Sequence, residues 1–470
     1  MKVRNPRTGA FDHAIAPLDA EALAAVAADL RARQPAWEAL GPGGRADRLR
    51  ALAKAIEAGR PALQAALEAD TGRRALSARE IETVVTSLRR WAERAPALLA
   101  AAEVRDQPGA MPGVTHSVSL APYPLVGAIS PWNFPLLLGL ADAVPALAAG
   151  CAVLVKPSEV TPRFIGPLMA AVARVPDVPL AVVEGDGATG AALVPLIDFL
   201  AFTGSVATGR KVAEAAARAF VPVSLELGGK DPLIVLASAD PGQAAAIALS
   251  ASCRATGQAC QSIERILVAR PLFAPFVERL VAAAESVTLN WPDIGHGDLG
   301  PFIFAKQADI VAAQIAEAVE RGARLLCGGK VETLGGGLWL RPTVIVDVTP
   351  DMAVWREETF GPVMPVMPFE TEDEAVALAN AGDYGLSAAV VAGSLAEAEA
   401  VGRRLRAGAV SLNDAALTAL LADAAKTSFG LSGMGPSRAG DEGLLRFLRR
   451  RVLYAQHGPP LPLAAFSEGR

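Results

Sequence analysis

Two short stretches of the chain carry side chains that could do chemistry. In Thr256-Gly257-Gln258-Ala259-Cys260, small residues leave a substrate room to approach the cysteine, and Gly257 lets the backbone turn tightly beneath it. Because the thiolate is the reactive form, Cys260 would need a nearby base or a field that lowers its pKa. Glu226-Leu227-Gly228-Gly229-Lys230 supplies a carboxylate on a backbone that can bend to aim it. Each stretch taken alone is equally compatible with a small buried cysteine and a capping glutamate.

Composition limits the classes of protein to which this chain can belong. Its 470 residues are 52% hydrophobic and 20% charged, which is typical of a compact protein with roughly two to four domains. The formal net charge of −5 gives no reason to expect nucleic acid as a partner. The four cysteines, at positions 151, 253, 260 and 327, do not form a disulfide framework, and no pair has metal-ligand spacing. We therefore predict no metal site and a reducing compartment.

Neither the N-terminal residues nor the most apolar run predicts a targeting or membrane segment. Residues 1–9 are charged and turn-forming, without the apolar core of a signal peptide. The most apolar run, residues 134–155, is close to the length of a membrane span but contains Asp142 and two prolines. We predict a buried helix followed by a buried strand in this run, and a cytoplasmic protein without membrane contact.

The elements that position the reactive residues begin after a helical N-terminal part. Apolar residues at helical spacing predict helices over residues 19–40, 45–69 and 77–100, with Glu80 and Glu82 on a solvated face. Residues 115–120 alternate polar and apolar side chains, which predicts an exposed strand. Short apolar strands at 125–129, 152–155, 180–183 and 199–202 then alternate with helices, notably over 161–175 and 209–219. This alternation predicts a parallel sheet covered on both faces, with ligands at the carboxyl ends of its strands.

The residues just past these strand ends suit a dinucleotide. Gly204-Ser205 follows the fourth strand and opens a helix, whose free amides and positive dipole end favour a pyrophosphate. Lys156 and Glu159 follow the second strand and could bracket an adenosine ribose. The glycines at 185, 187 and 190 are weak evidence by themselves, because glycine-rich turns are common.

Eight motifs that include these strand ends follow one another in a fixed order. They are Pro131-Trp132-Asn133-Phe134-Pro135, Lys156-Pro157-Ser158-Glu159, Phe202-Thr203-Gly204-Ser205, Glu226-Leu227-Gly228-Gly229-Lys230, Gly257-Gln258-Ala259-Cys260, Glu357-Glu358-Thr359-Phe360-Gly361-Pro362-Val363, Asn380 with Tyr384-Gly385-Leu386-Ser387, and Asn413. With these motifs the chain resembles the aldehyde dehydrogenase superfamily over nearly all of its length.

The resemblance implies the chemistry of an aldehyde oxidation. The thiolate of Cys260 would attack the aldehyde carbonyl, and the side-chain amide of Asn133 with the backbone amide of Cys260 would hold the thiohemiacetal oxyanion. Hydride would pass to the nicotinamide, leaving a thioester that water activated by Glu226 hydrolyses to a carboxylic acid. Because enzymes that pass the acyl group to coenzyme A generally lack this glutamate, hydrolysis is favoured. An acylating enzyme, and a catalytically silent scaffold of the same fold, remain the alternatives.

The resemblance also implies which residues bind the cofactor. They are Ile129, Trp132, Lys156, Glu159, Gly187, Gly190, Phe202, Gly204, Ser205, Gly209, Glu358 and Phe360. A carboxylate near the adenosine 2′-hydroxyl favours NAD over NADP. Lys156 softens that preference, so we expect NAD with NADP possible.

By the same resemblance, the fold class is α/β with three parts. A Rossmann-type cofactor domain would comprise residues 1–103 and 123–232, and a second α/β catalytic domain residues 233–428. Strands of the catalytic domain are predicted at 265–268, 343–346, 363–366 and 388–391. Residues 104–122 and 448–470 would form an arm that joins subunits into a homodimer or a dimer of dimers, because an edge strand seeks a partner.

Departures from the family pattern concern the substrate. The residues ahead of Cys260 include Arg254, where relatives usually carry aromatic residues, and this arginine could meet a polar or anionic substrate, or instead face solvent or a carboxylate. Residues 136–142 include small side chains that would leave a roomier tunnel for an aromatic or branched aldehyde. The loop at 428–433 is shorter than in relatives, which affects substrate preference and assembly.

Overall fold

The chain up to Pro122 forms a layer of helices and the beginning of a small antiparallel sheet. The computed structural model describes residues 1–468. The elements of this part are β1 (Lys2–Arg4), β2 (Phe11–Ala14), α1 (Ala20–Ala39), α2 (Gly41–Ala58), α3 (Arg60–Thr71), α4 (Arg74–Ala102), β3 (Val104–Pro108) and β4 (Val114–Pro122). The helix predicted over residues 45–69 is divided between α2 and α3. Gly59 lies at the break, and Pro61 in the first turn of α3 has no N–H to continue the ladder of α2.

The next part of the chain is a parallel sheet with helices on both faces. Its elements are β5 (Leu125–Ile129), α5 (Pro135–Ala141), α6 (Ala143–Ala149), β6 (Ala152–Lys156), α7 (Ile165–Val172), β7 (Leu180–Val182), α8 (Gly187–Leu193), β8 (Phe199–Thr203), α9 (Val206–Ala219) and β9 (Val223–Glu226). The four predicted strands are confirmed, α7 is shorter than predicted and α9 begins three residues earlier. The parallel strand order β7-β6-β5-β8-β9 reverses between β5 and β8, which is where such sheets bind ligands.

The apolar run at 134–155 contains two short helices before its strand, where one helix was predicted. Asp142 separates α5 from α6 and is 2% exposed. Its carboxylate pairs with Arg438, at 2.8 Å, and with Arg446, so the buried charge is compensated. Within residues 1–468, no helix combines the length and apolar character that crossing a bilayer would require.

The predicted solvent exposure is correct for Glu82 and wrong for Glu80. Glu82 is exposed, whereas Glu80 is 4% exposed, and its Oε2 accepts hydrogen bonds from the N–H groups of Leu136 and Leu137 at 3.1 and 3.0 Å. These first-turn N–H groups of α5 have no partner within their own helix, so a residue of α4 supplies one. Periodicity along α4 could not reveal this, because the face that carries Glu80 is covered by α5.

A second sheet begins immediately after the first. Its part of the chain comprises β10 (Asp231–Val235), α10 (Pro241–Cys253), β11 (Ile263–Ala269), α11 (Arg270–Ser286), α12 (Ala305–Glu320), β12 (Arg324–Cys327), β13 (Val331–Leu334), β14 (Gly337–Leu340), β15 (Thr343–Val346), α13 (Ala353–Arg356), β16 (Val363–Phe369), α14 (Glu372–Asn380), β17 (Ser387–Val391), α15 (Leu395–Gly402) and β18 (Ala409–Leu412). The order is β12-β15-β16-β11-β10-β17-β18, parallel except for β12. Only residues 227–230 separate β9 from β10, so the stretch that begins at Glu226 joins the two sheets.

The C-terminal part returns to the first sheet and to the small antiparallel one. It comprises α16 (Leu417–Leu420), β19 (Gly433–Met434), α17 (Glu442–Leu445) and β20 (Leu448–Gln456). β19 pairs with β9 beside Glu226. β4 is the central strand of the order β20-β4-β3, so the edge strands are β20 and β3, and the strand predicted at 115–120 is not an edge strand. The predicted arm extends to residue 470, and its last two residues lie outside the described part.

Candidate active site

A cavity of about 1130 Å³ opens at the carboxyl ends of β5, β6 and β8. Every predicted cofactor residue lines it except Gly209; the lining residues are Ile129, Trp132, Lys156, Glu159, Gly187, Gly190, Phe202, Gly204, Ser205, Glu358 and Phe360. Asn133 and Cys260 line the same cavity, whereas Glu226 does not. Gly209 instead packs closely against Leu227, because a Cβ at this position would lie 2.6 Å from the Leu227 side chain. The cavity therefore brings the reactive cysteine and the predicted dinucleotide site together.

The end of the cavity near α9 suits a pyrophosphate. Ser205 is the N-cap of α9, and its hydroxyl accepts a hydrogen bond from the N–H of Thr208 at 3.3 Å. The first N–H groups of α9 and its positive dipole end face this region. Arg210 and Lys211, which sequence reasoning did not single out, also line the cavity. The sequence feature that could have identified them is that two basic residues directly follow Gly209.

Lys156 and Glu159, which the sequence predicts beside an adenosine ribose, both line the cavity. Lys156 is the last residue of β6 and is 4% exposed, and its Nζ lies 3.4 Å from Oε2 of the partly exposed Glu159. The two charges are thus close enough to offset one another. A ribose hydroxyl and a phosphate would meet both an acceptor and a cation here.

Glu264, which sequence reasoning missed, forms hydrogen bonds with the segment that carries Glu358 and Phe360. The two carboxylate oxygens of Glu264 accept hydrogen bonds from the N–H groups of Thr359 and Phe360, each at 2.7 Å. Phe360 has a φ of +55°, which is a strained backbone conformation for a residue with a side chain. The hydrogen bonds to Glu264 offset the free energy of this strain. The signal in the sequence was an acid, Glu264, which with Arg265 interrupts the apolar residues of β11.

The nucleophile loop turns sharply before Cys260. Ala255, Thr256 and Gly257 have φ values of +56°, +60° and +66° in succession. A Cβ at Gly257 would lie 2.2 Å from the backbone of Gly361, so only glycine lets this loop approach the Glu358 segment. Buried Gln258 anchors the loop, donating to Pro301 O at 3.2 Å and accepting from the N–H of Ile303 at 2.9 Å.

Asn133 lies against the nucleophile loop. Its Nδ2 donates to Gln258 O at 3.0 Å, which leaves a second amide proton free. Arg73, from the N-terminal helical layer, donates to Asn133 O at 3.2 Å and to Ala255 O at 2.6 Å. Arg73 is fully enclosed, so this one side chain fixes the backbone of both segments. Sequence reasoning missed it, because nothing near position 73 marks it as part of a site.

Glu226 lies at the junction of the two sheets. It is the last residue of β9 and is partly buried, and its backbone pairs with Thr203 on one side and Gly433 on the other. The two glycines that follow are needed for close approach: a Cβ at Gly228 would lie 2.4 Å from Glu358. The carboxylate acts electrostatically on the thiol of Cys260.

The site is rich in acidic side chains. Burial, with the carboxylates of Glu358, Asp231 and Glu226, raises the pKa of the Cys260 thiol to about 12. Burial and the neighbouring Glu264 raise the pKa of Glu358 to about 8, against the hydrogen bond that its Oε1 accepts from Gly229 N–H at 3.1 Å. Without a ligand, the thiol is therefore protonated at neutral pH. A cationic ring beside these carboxylates would favour the thiolate.

Cys260 differs from the other cysteines in its access to the cavity. Cys151 and Cys253 are buried in the cores, and burial raises the pKa of both thiols. Within the described residues, no group of three or more His, Cys, Asp or Glu side chains could hold a metal ion. The donor set instead fits NAD(P), with helix N–H groups for a pyrophosphate and carboxylates near two ribose positions.

Comparison with known proteins gives consistent matches along the chain. The model of the "Aldehyde dehydrogenase family" matches residues 1–453. A protein of Mycolicibacterium smegmatis named "Putative succinate-semialdehyde dehydrogenase (NADP(+))" is 36% identical over 455 residues, 95% of this chain and 87% of that protein.

Two solved structures extend the match to the fold. The "Putative Aldehyde Dehydrogenase PutA" of Anabaena variabilis is 50% identical, with a TM-score of 0.96 and 98% of each chain covered. A betaine aldehyde dehydrogenase of Staphylococcus aureus, a point mutant in complex with NAD+, is 28% identical, with a TM-score of 0.88 and 98% of this chain and 95% of that chain covered.

Proposed function

This chain belongs to the aldehyde dehydrogenase family and is an NAD(P)-dependent oxidoreductase of aldehydes; from that premise we propose which of its residues carry out the reaction. Cys260 is the nucleophile, Asn133 stabilises the oxyanion and Glu226 activates water. The observation that carries the assignment is that Cys260 and Asn133 line one cavity with the predicted cofactor residues. The alternative of acyl transfer to coenzyme A has no support among the relatives.

The first step is attack of Cys260 Sγ on the aldehyde carbon. The thiol gives up its proton to solvent water, and the thiolate adds to the carbonyl carbon, so that a thiohemiacetal forms with negative charge on the former carbonyl oxygen. The free amide proton of Asn133 and the backbone N–H of Cys260 hold this oxyanion. The hydrogen bonds from Asn133 to Gln258 and from Arg73 to Asn133 fix the donor before the substrate arrives.

The second step is oxidation and release of the acid. When bound, NAD(P) supplies the electron acceptor that converts the thiohemiacetal into a thioester. Glu226 takes a proton from water, whose oxygen then attacks the thioester carbon. The carbon–sulfur bond breaks, and the carboxylic acid leaves Cys260 free for another cycle.

The cofactor residues divide between the two ends of the dinucleotide. Ser205 and Gly204 take the pyrophosphate, and Glu358 with Phe360 takes the nicotinamide ribose and ring. Glu159 near the adenosine ribose favours NAD, while Lys156 beside it at 3.4 Å and the cavity-lining Arg210 and Lys211 leave NADP acceptable. We therefore place NAD first and NADP second.

The domain assignment and the assembly belong to the same proposal. The first sheet serves the cofactor, the second carries Cys260, and the sheet of β3, β4 and β20 joins subunits. The support for joining is the exposed edge of β20, which carries Leu453 at 61% and Tyr454 at 74% exposure. Four cysteines without a disulfide suit the cytoplasm.

A panel of aldehydes with NAD or NADP tests the proposed function. NADH or NADPH absorbance should rise, and free acid should accumulate whether or not coenzyme A is added. Cys260→Ala should abolish the signal, whereas Cys253→Ala, a change in the buried core, should not. A thioester product with coenzyme A, or activity in the Cys260→Ala variant, would refute the assignment.

A further inference from the structure

An ammonium group, that of Lys426, contacts the residue that follows Cys260 in the chain. Gln261, Thr418 and Lys426 are absent from the cavity lining, yet Gln261 directly follows Cys260 in the chain. Lys426 Nζ donates to Gln261 Oε1 at 3.3 Å and to Thr418 O at 3.0 Å. An aldehyde must reach the sulfur without displacing the dinucleotide. An approach past Gln261 and Lys426 would leave the cavity to the dinucleotide.

Lys426 forms no ion pair within the described residues. In the described part of the chain, the lysines in ion pairs are Lys156 and Lys230, and no carboxylate lies within ion-pair distance of Lys426. An ammonium has three protons, and two acceptors leave one free. Lys426 is also partly buried, and this burial lowers its pKa while the more distant Glu226 and Cys260 raise it. A partly desolvated cation with a free proton is stabilised by an anion.

A second cation faces the same segment. Arg254 is half-buried, and the nearest acid that acts on it, Asp414, forms no ion pair with it in residues 1–468. Asp414 and Thr418 belong to one short segment, which Lys426 contacts through Thr418 O and whose Asp414 acts electrostatically on Arg254. Neither cation takes part in the chemistry at Cys260. Both remain available for a substrate.

We propose that Lys426 is a specificity residue that binds a carboxylate at the far end of the aldehyde, so that the preferred substrates are ω-oxo acids. This inference rests on the proposed function, because it takes Cys260 as the atom that the aldehyde must reach. The ammonium donates its free proton to the carboxylate, and the guanidinium of Arg254 adds attraction at longer range. The hydrogen bond from Lys426 strengthens substrate binding only when the aldehyde carries a carboxylate.

The test compares acid and neutral aldehydes of equal length. The first pair is succinic semialdehyde and butanal, and two further pairs are one and two carbons longer. We would measure kcat/KM for each aldehyde in the wild type and in the Lys426→Gln and Lys426→Arg variants. The wild type should prefer one of the acids, and Lys426→Gln should lower the acid-to-neutral ratio about 10- to 100-fold, the worth of a charged hydrogen bond. Lys426→Arg should restore much of the ratio. Lys54→Gln, a change of an exposed lysine on α2, is the matched control.

The outcomes separate this inference from the proposed function. A wild type that prefers the neutral aldehydes, as the exposed Leu417 and Leu420 of the same segment would allow, overturns the inference alone. A Lys426→Gln variant that loses both substrates equally also overturns it, because Lys426 would then act on Glu226 or the thiol. Oxidation of no aldehyde at all would refute the proposed function instead.

Discussion

Lys230 Nζ lies 2.8 Å from Glu264 Oε2, with both side chains 2% exposed, and this buried ion pair joins the junction of the two sheets to the segment of Glu358. Lys230 also donates to Thr359 Oγ1 at 2.9 Å. The pair thus supports a segment that is strained at Phe360.

Removing the carboxylate of Glu264 should weaken cofactor binding. Glu264→Gln has a single acceptor oxygen for two N–H groups, so one of them loses its partner, and the Kd of NAD(P) should rise about 10- to 100-fold. Titration of the cofactor by protein fluorescence measures this. Glu370→Gln is the control, because Glu370 pairs with Arg270 in solvent and is 60% exposed. An unchanged Kd in a folded Glu264→Gln variant would show that the segment of Glu358 and Phe360 keeps its conformation without Glu264.

Glu226→Gln should separate the two halves of the reaction. The amide cannot take a proton from water, so deacylation slows about 10²- to 10⁴-fold while attack by Cys260 continues. Stopped-flow absorbance should show an initial burst of NADH, near one per site, followed by a slow steady state. If the burst slows as much as the steady state, Glu226 acts before the thioester forms.

Asn133→Ala should lower kcat about 10²- to 10³-fold through loss of an oxyanion donor. The variant also loses the hydrogen bond to Gln258 O, so the rate of Cys260 alkylation serves as a control for the position of the nucleophile loop. A large loss of kcat with an unchanged alkylation rate assigns the effect to the oxyanion. Equal losses of both rates would make Asn133 a positioning residue only.

Cys260 should react slowly in the enzyme without cofactor. With the pKa of its thiol raised to about 12, alkylation by iodoacetamide should accelerate about tenfold per pH unit from about pH 7 to pH 10, because the ionised fraction grows by that factor below the pKa. Mass spectrometry of the labelled peptide follows Cys260, and Cys260→Ala gives the background. A plateau near pH 8 would indicate a much lower pKa.

Glu80 should make stability fall as pH rises. Burial raises its folded pKa to about 8, whereas its unfolded pKa is about 4.3, so between these values the folded state holds a proton that the unfolded chain has lost. Glu80→Gln keeps an acceptor oxygen but has no such proton. Its free energy of unfolding should therefore improve relative to the wild type between about pH 5 and pH 8, as measured by urea unfolding. A difference that does not vary with pH would contradict this.

The sequence by itself determined the chemistry and the order of the parts. Cys260 and Glu226 could be singled out because each stands beside glycines, and Asn133 could be singled out because its motif resembles that of the aldehyde dehydrogenase family. The alternation of short apolar strands with helices predicted the α/β fold for the same reason, since each strand is recognised from its own few residues.

Only the tertiary structure decided which distant residues support them. Glu80 was predicted in solvent and lies under α5, and Arg73 and Glu264 hold segments far from them in the chain. Periodicity describes one helix or strand at a time. A buried charged side chain is stable where N–H or C=O groups of another segment form hydrogen bonds with it. Because that segment is distant in the chain, only the fold determines which groups become its partners.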